Sequence, residues 1–209
     1  MLTPMRIWMA LIPMQNNLSR RFVLGSGVAF CAAPAFALNA TQAKSLVDRV
    51  VGEINRIIGS GQSEARMIKD FKSVFARYAD LNAISGSVVG PPWRSATNAQ
   101  KRAFQKAFTN YMGVKYGRRF REFIGGQIVV QKAEPWKSHF QVFTVSHIPG
   151  QAPFSVIFRV SDRSGKDLFF DMLIEGISLL KTEAVEVRAM IDANGRSLSR
   201  TITMLQNYG

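Results

Sequence analysis

The hydrophobic period of this chain changes from helix to strand at Gly125-Gly126, and that change restricts the fold more than any other feature. Before it, apolar residues recur every three or four positions, as on a helix with one buried face. From Thr41 the apolar positions Leu46, Val47, Val50, Val51, Ile54, Ile57 and Ile58 follow that spacing until Gly59-Ser60-Gly61 ends the run. Ser63-Glu64 opens a second helix carrying Met67, Ile68, Phe71, Val74, Phe75 and Tyr78, and Asp80 caps a third that runs to Val88. Gly90-Pro91-Pro92 breaks the chain. Thr97 caps a long helix with Phe104, Phe108, Tyr111, Met112 and Phe120, in which Gly113 and Gly117 predict a kink or split near Tyr116.

After the glycine pair, 127–134, 139–148, 154–162 and 167–175 alternate or run apolar at strand length, with Pro135, Pro149-Gly150 and Arg163-Ser164-Gly165 as turns. Connections this short make an antiparallel meander. Phe154, Val156, Phe158 and Val160 share one face by alternation, as do Leu168, Phe170, Met172 and Ile174. Helical spacing returns from Leu179 to Ile191, with Asn194-Gly195 as its stop, and a last short helix reaches about Leu205. The expected architecture is α+β: a helical part (41–125) packed on one face of a curved antiparallel sheet of about four strands (126–176), then C-terminal helices (177–206).

The start of the chain sets the compartment. Arg20-Arg21 precede an uncharged run of 17 residues, Phe22 to Leu38, interrupted by Gly25, Gly27 and Pro34. A spanning helix needs about 20 apolar residues, so this run is short and broken. A basic region, a short apolar core and the Ala35-Phe36-Ala37 site describe an export signal over residues 1–37, cleaved after Ala37. Cys31 follows the bulky Phe30 and precedes that site, which favours an apolar filler over a lipid-attachment cysteine. Ser19-Arg20-Arg21 with Leu24 fits a twin-arginine signal, and the same residues serve a Sec signal. The remainder, 38–209, is expected to be a single exported domain without a transmembrane anchor.

Cleavage removes Arg6, Arg20 and Arg21 and leaves 24 Lys and Arg against 14 Asp and Glu. Such a surplus suggests nucleic acid in a cytoplasmic protein; outside the cytoplasm, anionic headgroups or an acidic protein fit better. The one cysteine goes with the leader, so disulfide and thiol chemistry go too. Catalysis needs titratable groups that converge. The only histidines, His139 and His147, lie on one strand about 25 Å apart at strand rise. Gly61-Gln62-Ser63-Glu64-Ala65 is a near miss for a nucleophile elbow, and no phosphate loop, zinc motif or dinucleotide fingerprint occurs. The expectation is a binder with no catalytic residue, cofactor or metal. Fifteen Phe and nine Met suit a cavity for a variable apolar ligand, and equally a plain core.

Two blocks carry a family resemblance. The first is Gly90-Pro91-Pro92-Trp93-Arg94-Ser95-Ala96-Thr97, continuing through Gln100, Phe104, Phe108, Tyr111, Tyr116 and Gly117. The second is Phe170-Asp171-Met172-Leu173-Ile174-Glu175-Gly176-Ile177-Ser178-Leu179. In that order behind a signal peptide they resemble the MlaC, or toluene-tolerance, family over roughly 41–191. The chain departs from the pattern at Pro92, where an aromatic is usual, and in its tail beyond Gly195. The resemblance implies a nuclear-transport-factor-like sheet with helices holding the acyl chains of a phospholipid. It also implies a periplasmic carrier, the substrate-binding component of an ABC-type lipid transport system that maintains outer-membrane asymmetry. Its implied partners are phospholipid, an inner-membrane ABC transporter complex and an outer-membrane lipoprotein–porin complex.

The pocket candidates are Trp93, Phe104, Phe108, Tyr111, Met112 and Tyr116 from the helices and Phe154, Val156, Phe158, Phe170, Met172 and Ile174 from the sheet. Each also fits as ordinary core, and Trp93 as a plug in a helix junction. Asp171, Glu175 and Ser178 read as supports for the turn at Gly176. Lys115, Arg118, Arg119 and Arg121 are candidates for contact with headgroups or a docking partner, and equally for a solvated helix face. Two other readings stay open: a protein-interaction domain without lipid, and an isomerase-like enzyme on the same sheet with Asp171 as its base.

Overall fold

A computed structural model describes residues 38–209, so the export signal expected over 1–37 lies outside the described residues. The helical part begins with α1 (Ala40–Ile58), whose Asn39 N-cap and Gln42 bond each other's backbone in a capping box. α2 (Glu64–Tyr78), α3 (Leu81–Val89) and the single turn α4 (Pro92–Ser95) follow, with Asp80 accepting from the Ala83 N–H as the cap of α3. The Pro92 break is therefore itself helical for four residues. Thr97 and Gln100 form a second capping box on α5 (Asn98–Gly117), which passes into a 3₁₀ helix, Arg118–Phe123.

The expected kink is instead a change of helix type one residue past Gly117. Its glycines serve close packing. A Cβ on Gly117 would stand 2.8 Å from Ile68 Cγ1 on α2, and one on Gly113 would overlap the Lys72 side chain. The absence of side chains there lets α5 lie directly on α2.

The sheet is an antiparallel meander in the order β1 (Gln127–Trp136), β2 (His139–His147), β3 (Phe154–Ser161), β4 (Leu168–Ile174) and β5 (Ile177–Ser178). The fifth strand, two residues long, exceeds the expected four. It exists because Glu175 (φ 48°) and Gly176 (φ 79°) both take the left-handed conformation of a tight hairpin turn. α6 (Leu179–Ala193) and α7 (Leu198–Gln206) complete the chain.

Paired residues share a face of the sheet, so Val142–Phe158–Met172 point to one side, and Val142 and Phe158 are buried there under the helices. On β4 the expected alternation breaks. A bulge opposite Arg159 and Val160 sets Phe169, rather than Leu168 or Phe170, against Val160, and Phe169 is buried while its two neighbours are half-buried. Two backbone ties fix the helices over this region. The Asp80 N–H donates to the Phe169 carbonyl at 2.8 Å, and the Asn55 side chain of α1 bonds both the N–H and the carbonyl of Ile128 on β1.

Candidate functional site

The helical layer and β4 do not close completely on each other. Between them lies a cavity walled by Phe75 of α2, Ile84 and Val88 of α3, Phe108 and Met112 of α5, Phe169 to Met172 of β4, and Leu179, Leu180 and Glu183 of α6. It measures about 20 Å³, room for about one water. Four of the twelve sequence candidates reach it: Phe108, Met112, Phe170 and Met172. Behind them, Phe104 stacks on Phe108 with ring centres 5.7 Å apart, and Trp93 meets Phe104 edge-on. Trp93 fills the junction of α3, α4 and α5, lying against Gly86, so it has the plug position. Phe158 backs the far wall, edge-on to Phe169 at 5.7 Å. Phe154, Val156 and Ile174 sit at the open end of the sheet, away from the cavity, with Phe154 against Phe123 and Ile174 exposed.

Two acids stand in this apolar wall. Asp171, on β4, is 5% exposed, and both its oxygens are engaged. Oδ2 accepts from Arg159 at 3.1 Å and from the Ser178 hydroxyl at 2.8 Å, and Oδ1 accepts from the Leu180 N–H at 3.0 Å. It therefore ties the strand to the first turn of α6, whose N-cap is Ser178. Glu175 accepts from the Ser155 N–H across the hairpin. These contacts give Asp171, Glu175 and Ser178 the supporting roles read from the sequence. They also leave the carboxylate that an isomerase would use as base without a free oxygen.

Glu183, on α6, is 1% exposed. Its Oε1 accepts from the Tyr116 hydroxyl and from Lys115 Nζ at 2.8 Å, whereas its Oε2 is buried with no partner. Lys115 also reaches Glu186 at 2.5 Å and the Tyr111 hydroxyl at 2.9 Å, and that hydroxyl donates to Glu186 at 2.7 Å. Five side chains from α5 and α6 thus form one polar knot. Burial, reinforced by the hydrogen bond to Glu186, raises the Tyr111 phenol far above its ordinary range. Burial and the Glu183 bond do the same for Tyr116. Burial alone would lower Lys115, but the two carboxylates outweigh it and hold the ammonium above its usual value. The Lys115 and Tyr111 bonds keep Glu186 below the usual carboxylate range.

Lys115 therefore separates from the arginines that neighbour it in sequence. Arg118 and Arg119 are exposed on the 3₁₀ helix, and Arg121 stands 3.8 Å from Glu64. His139 packs between Trp136 and Phe170, and His147 is exposed at the other end of the same strand. Among the described residues no three His, Cys, Asp or Glu side chains gather as metal ligands, and no helix is long and apolar enough to cross a membrane.

Sequence reasoning missed Glu183 and Glu186, along with Phe75, Ile84, Val88, Phe169, Leu179 and Leu180. One signal was present: Glu183 falls on the same helical face as the apolar Ala184, Val187 and Ile191, where a charge is costly unless it has a partner.

The same fold is found in a solved phospholipid-binding protein from Ralstonia solanacearum, determined in complex with a phospholipid. The two share 16% identity and superpose with a TM-score of 0.67, over 79% of this chain and 96% of that one. The sequence pattern of the MlaC protein family matches residues 44–207, extending past Gly195 through α7 into the tail that sequence reasoning had left out. On that match, over most of its length, the chain belongs to the MlaC family.

Proposed function

We propose that this protein is an exported phospholipid carrier. Its acyl chains would lie between the helices and β4, and it would shuttle lipid through the periplasm between an outer-membrane lipoprotein–porin complex and an inner-membrane ABC transporter. Such a carrier maintains the lipid asymmetry of the outer membrane and catalyses no reaction. The observation that carries the proposal is the cavity between the two layers in a chain of the MlaC family. The phospholipid held by the Ralstonia protein of the same fold supports it.

Burying a CH₂ group is worth about 0.8 kcal/mol, so two chains of about 16 carbons represent on the order of 25 kcal/mol of exposure to water. A lipid crosses an aqueous compartment only inside something comparably dry. Sites for drug-sized ligands measure about 300–1,000 Å³, so a cavity of about 20 Å³ must widen to take acyl chains. Loading therefore parts α5 and α6 from β4. Met112 and Met172, flexible thioethers in the lining, suit a wall that must repack. Trp93, Phe104, Tyr111, Tyr116 and Phe158 form the second layer of that wall, and Phe154, Val156 and Ile174 would join it only as the cavity widens along the sheet. Arg118, Arg119 and Arg121 serve docking to the partner complexes.

The test is native mass spectrometry of the protein expressed with its signal in a Gram-negative host, followed by lipid extraction. One phospholipid per chain is the expected result. A lipid-free mass that takes up nothing from anionic or zwitterionic vesicles would refute the carrier and favour a protein-interaction domain.

A further inference from the structure

We propose that Glu183, with Lys115 and Glu186, forms a headgroup subsite at the edge of the cavity that selects a zwitterionic phospholipid carrying a primary ammonium. This rests on the carrier reading and specifies its cargo. The knot lacks one donor. Lys115 has three N–H bonds, directed at Glu183 Oε1, Glu186 Oε2 and the Tyr111 hydroxyl. The Tyr111 and Tyr116 hydroxyls each have one proton, given to Glu186 and Glu183. Every donor is spent, and Glu183 Oε2 remains buried without one, on a residue that lines the cavity.

Charge has the same deficit. Two carboxylates share one ammonium. Arg119, close enough to act on Tyr116, is exposed and pairs with neither acid. A buried carboxylate oxygen with no donor is costly. A cation that brings its own N–H and arrives with the ligand removes that cost.

The knot is graded from water inward. The Glu186 side chain is 42% exposed, Lys115 23% and Glu183 1%. Beyond Glu183 the wall turns apolar, with Phe108, Met112 and Met172. An amphipathic ligand matches this gradient with its chains against the apolar wall and its headgroup along the knot. The ammonium then donates to Glu183 Oε2 while Lys115 keeps its bonds to both carboxylates. Choline carries a cation but has no N–H to donate. A glycerol headgroup leaves the phosphate charge uncompensated beside two carboxylates. A serine headgroup adds a third carboxylate. The ethanolamine type alone supplies both the charge and the donor without adding a carboxylate.

The experiment is loading of the delipidated full chain from vesicles containing equal parts of palmitoyl-oleoyl phosphatidylethanolamine, phosphatidylcholine and phosphatidylglycerol. The bound lipid is identified by mass spectrometry. The wild type is expected to load phosphatidylethanolamine about tenfold over either competitor, the size of one charge-assisted hydrogen bond. In Glu183→Gln that preference should fall to the level of phosphatidylcholine. If Glu183→Gln fails to fold by circular dichroism, Glu186→Gln, at the wetter end of the knot, should weaken the preference severalfold. Equal loading of the three lipids by the wild type, a preference for phosphatidylglycerol, or an unchanged preference in a folded Glu183→Gln would each overturn the subsite. No loading of any lipid would overturn the carrier reading, and the subsite with it.

Discussion

Asp171 and Glu183 are both acids, both buried, and both part of one cavity wall, yet they are supported in opposite ways. Asp171 faces Arg159, a hydroxyl and a backbone N–H that together occupy both its oxygens. Glu183 has all its partners on one oxygen and none on the other. A fully satisfied buried acid holds a structure together, whereas a half-satisfied one keeps a bond in reserve. The difference comes from the elements that carry them. Asp171 sits where a strand hands over to a helix, and the free N–H groups of that helix start are fixed in place. Glu183 sits between two helices that have only side chains to offer.

The comparison can be broken most forcefully at Asp171. Asp171→Asn removes the charge opposite Arg159, whose own Nε is already buried without a partner. Breaking a buried pair on one side costs about 3–5 kcal/mol, and urea denaturation should read a loss of that size. Glu183→Gln should cost about 1 kcal/mol, because Lys115 keeps Glu186 and the amide oxygen still accepts. Equal losses at the two positions would abolish the distinction. A smaller effect separates the knot from the bracket. Gly117→Ala pushes α5 off Ile68 and displaces the turn that carries Lys115 and Tyr116, while Asp171 is untouched. Its cost should be about 1–3 kcal/mol, with the near-ultraviolet circular dichroism of the tyrosines altered.

The smallest effects come from pH. The Tyr111 and Tyr116 phenols are raised by burial first and by their carboxylate partners second, so they stay protonated in the fold. Above about pH 10 the tyrosines of the unfolded chain ionise. Stability therefore falls as the pH rises past that point, and two of the chain's four tyrosines should give their tyrosinate absorbance only on unfolding. Glu186 has the opposite sign. Its carboxyl is lowered by Lys115 first and then Tyr111, so its contribution is present above about pH 4.3 and is lost as the pH falls below it. Glu186→Gln should lack that acid limb in a denaturation series, and Asp171→Asn should retain it.

The α+β architecture was legible because each segment states its period locally: Leu46 to Ile58 in threes and fours, Phe154 to Val160 in twos. Caps at Asp80 and Thr97 were legible for the same reason. The β4 bulge was not, since nothing within 168–174 signals that Arg159 and Val160 on the neighbouring strand will offset it. A third of the cavity's lining was legible. Phe108, Met112, Phe170 and Met172 lie in segments whose periodicity picks out their faces, whereas Phe75, Ile84 and Val88 join the wall only because α2 and α3 fold over β4. Glu183 was passed over because a lone acid on a helix ordinarily reads as solvated. Only Tyr116 and Lys115, nearly seventy residues earlier, give it another meaning.

The tie between Asn55 and Ile128 also covers part of a sheet edge. β1 is an edge strand, and an unguarded edge is a template on which a second chain can add a strand. Here the Asn55 amide occupies both backbone groups of Ile128, a register shift between Val130 and Lys132 bends the strand, Lys132 sets a charge on it, and Pro135 removes a donor. On the carrier reading, parting the layers to load lipid would display apolar surface and invite aggregation at that moment. With β1 blocked in four ways, that opening would not recruit neighbours along this edge.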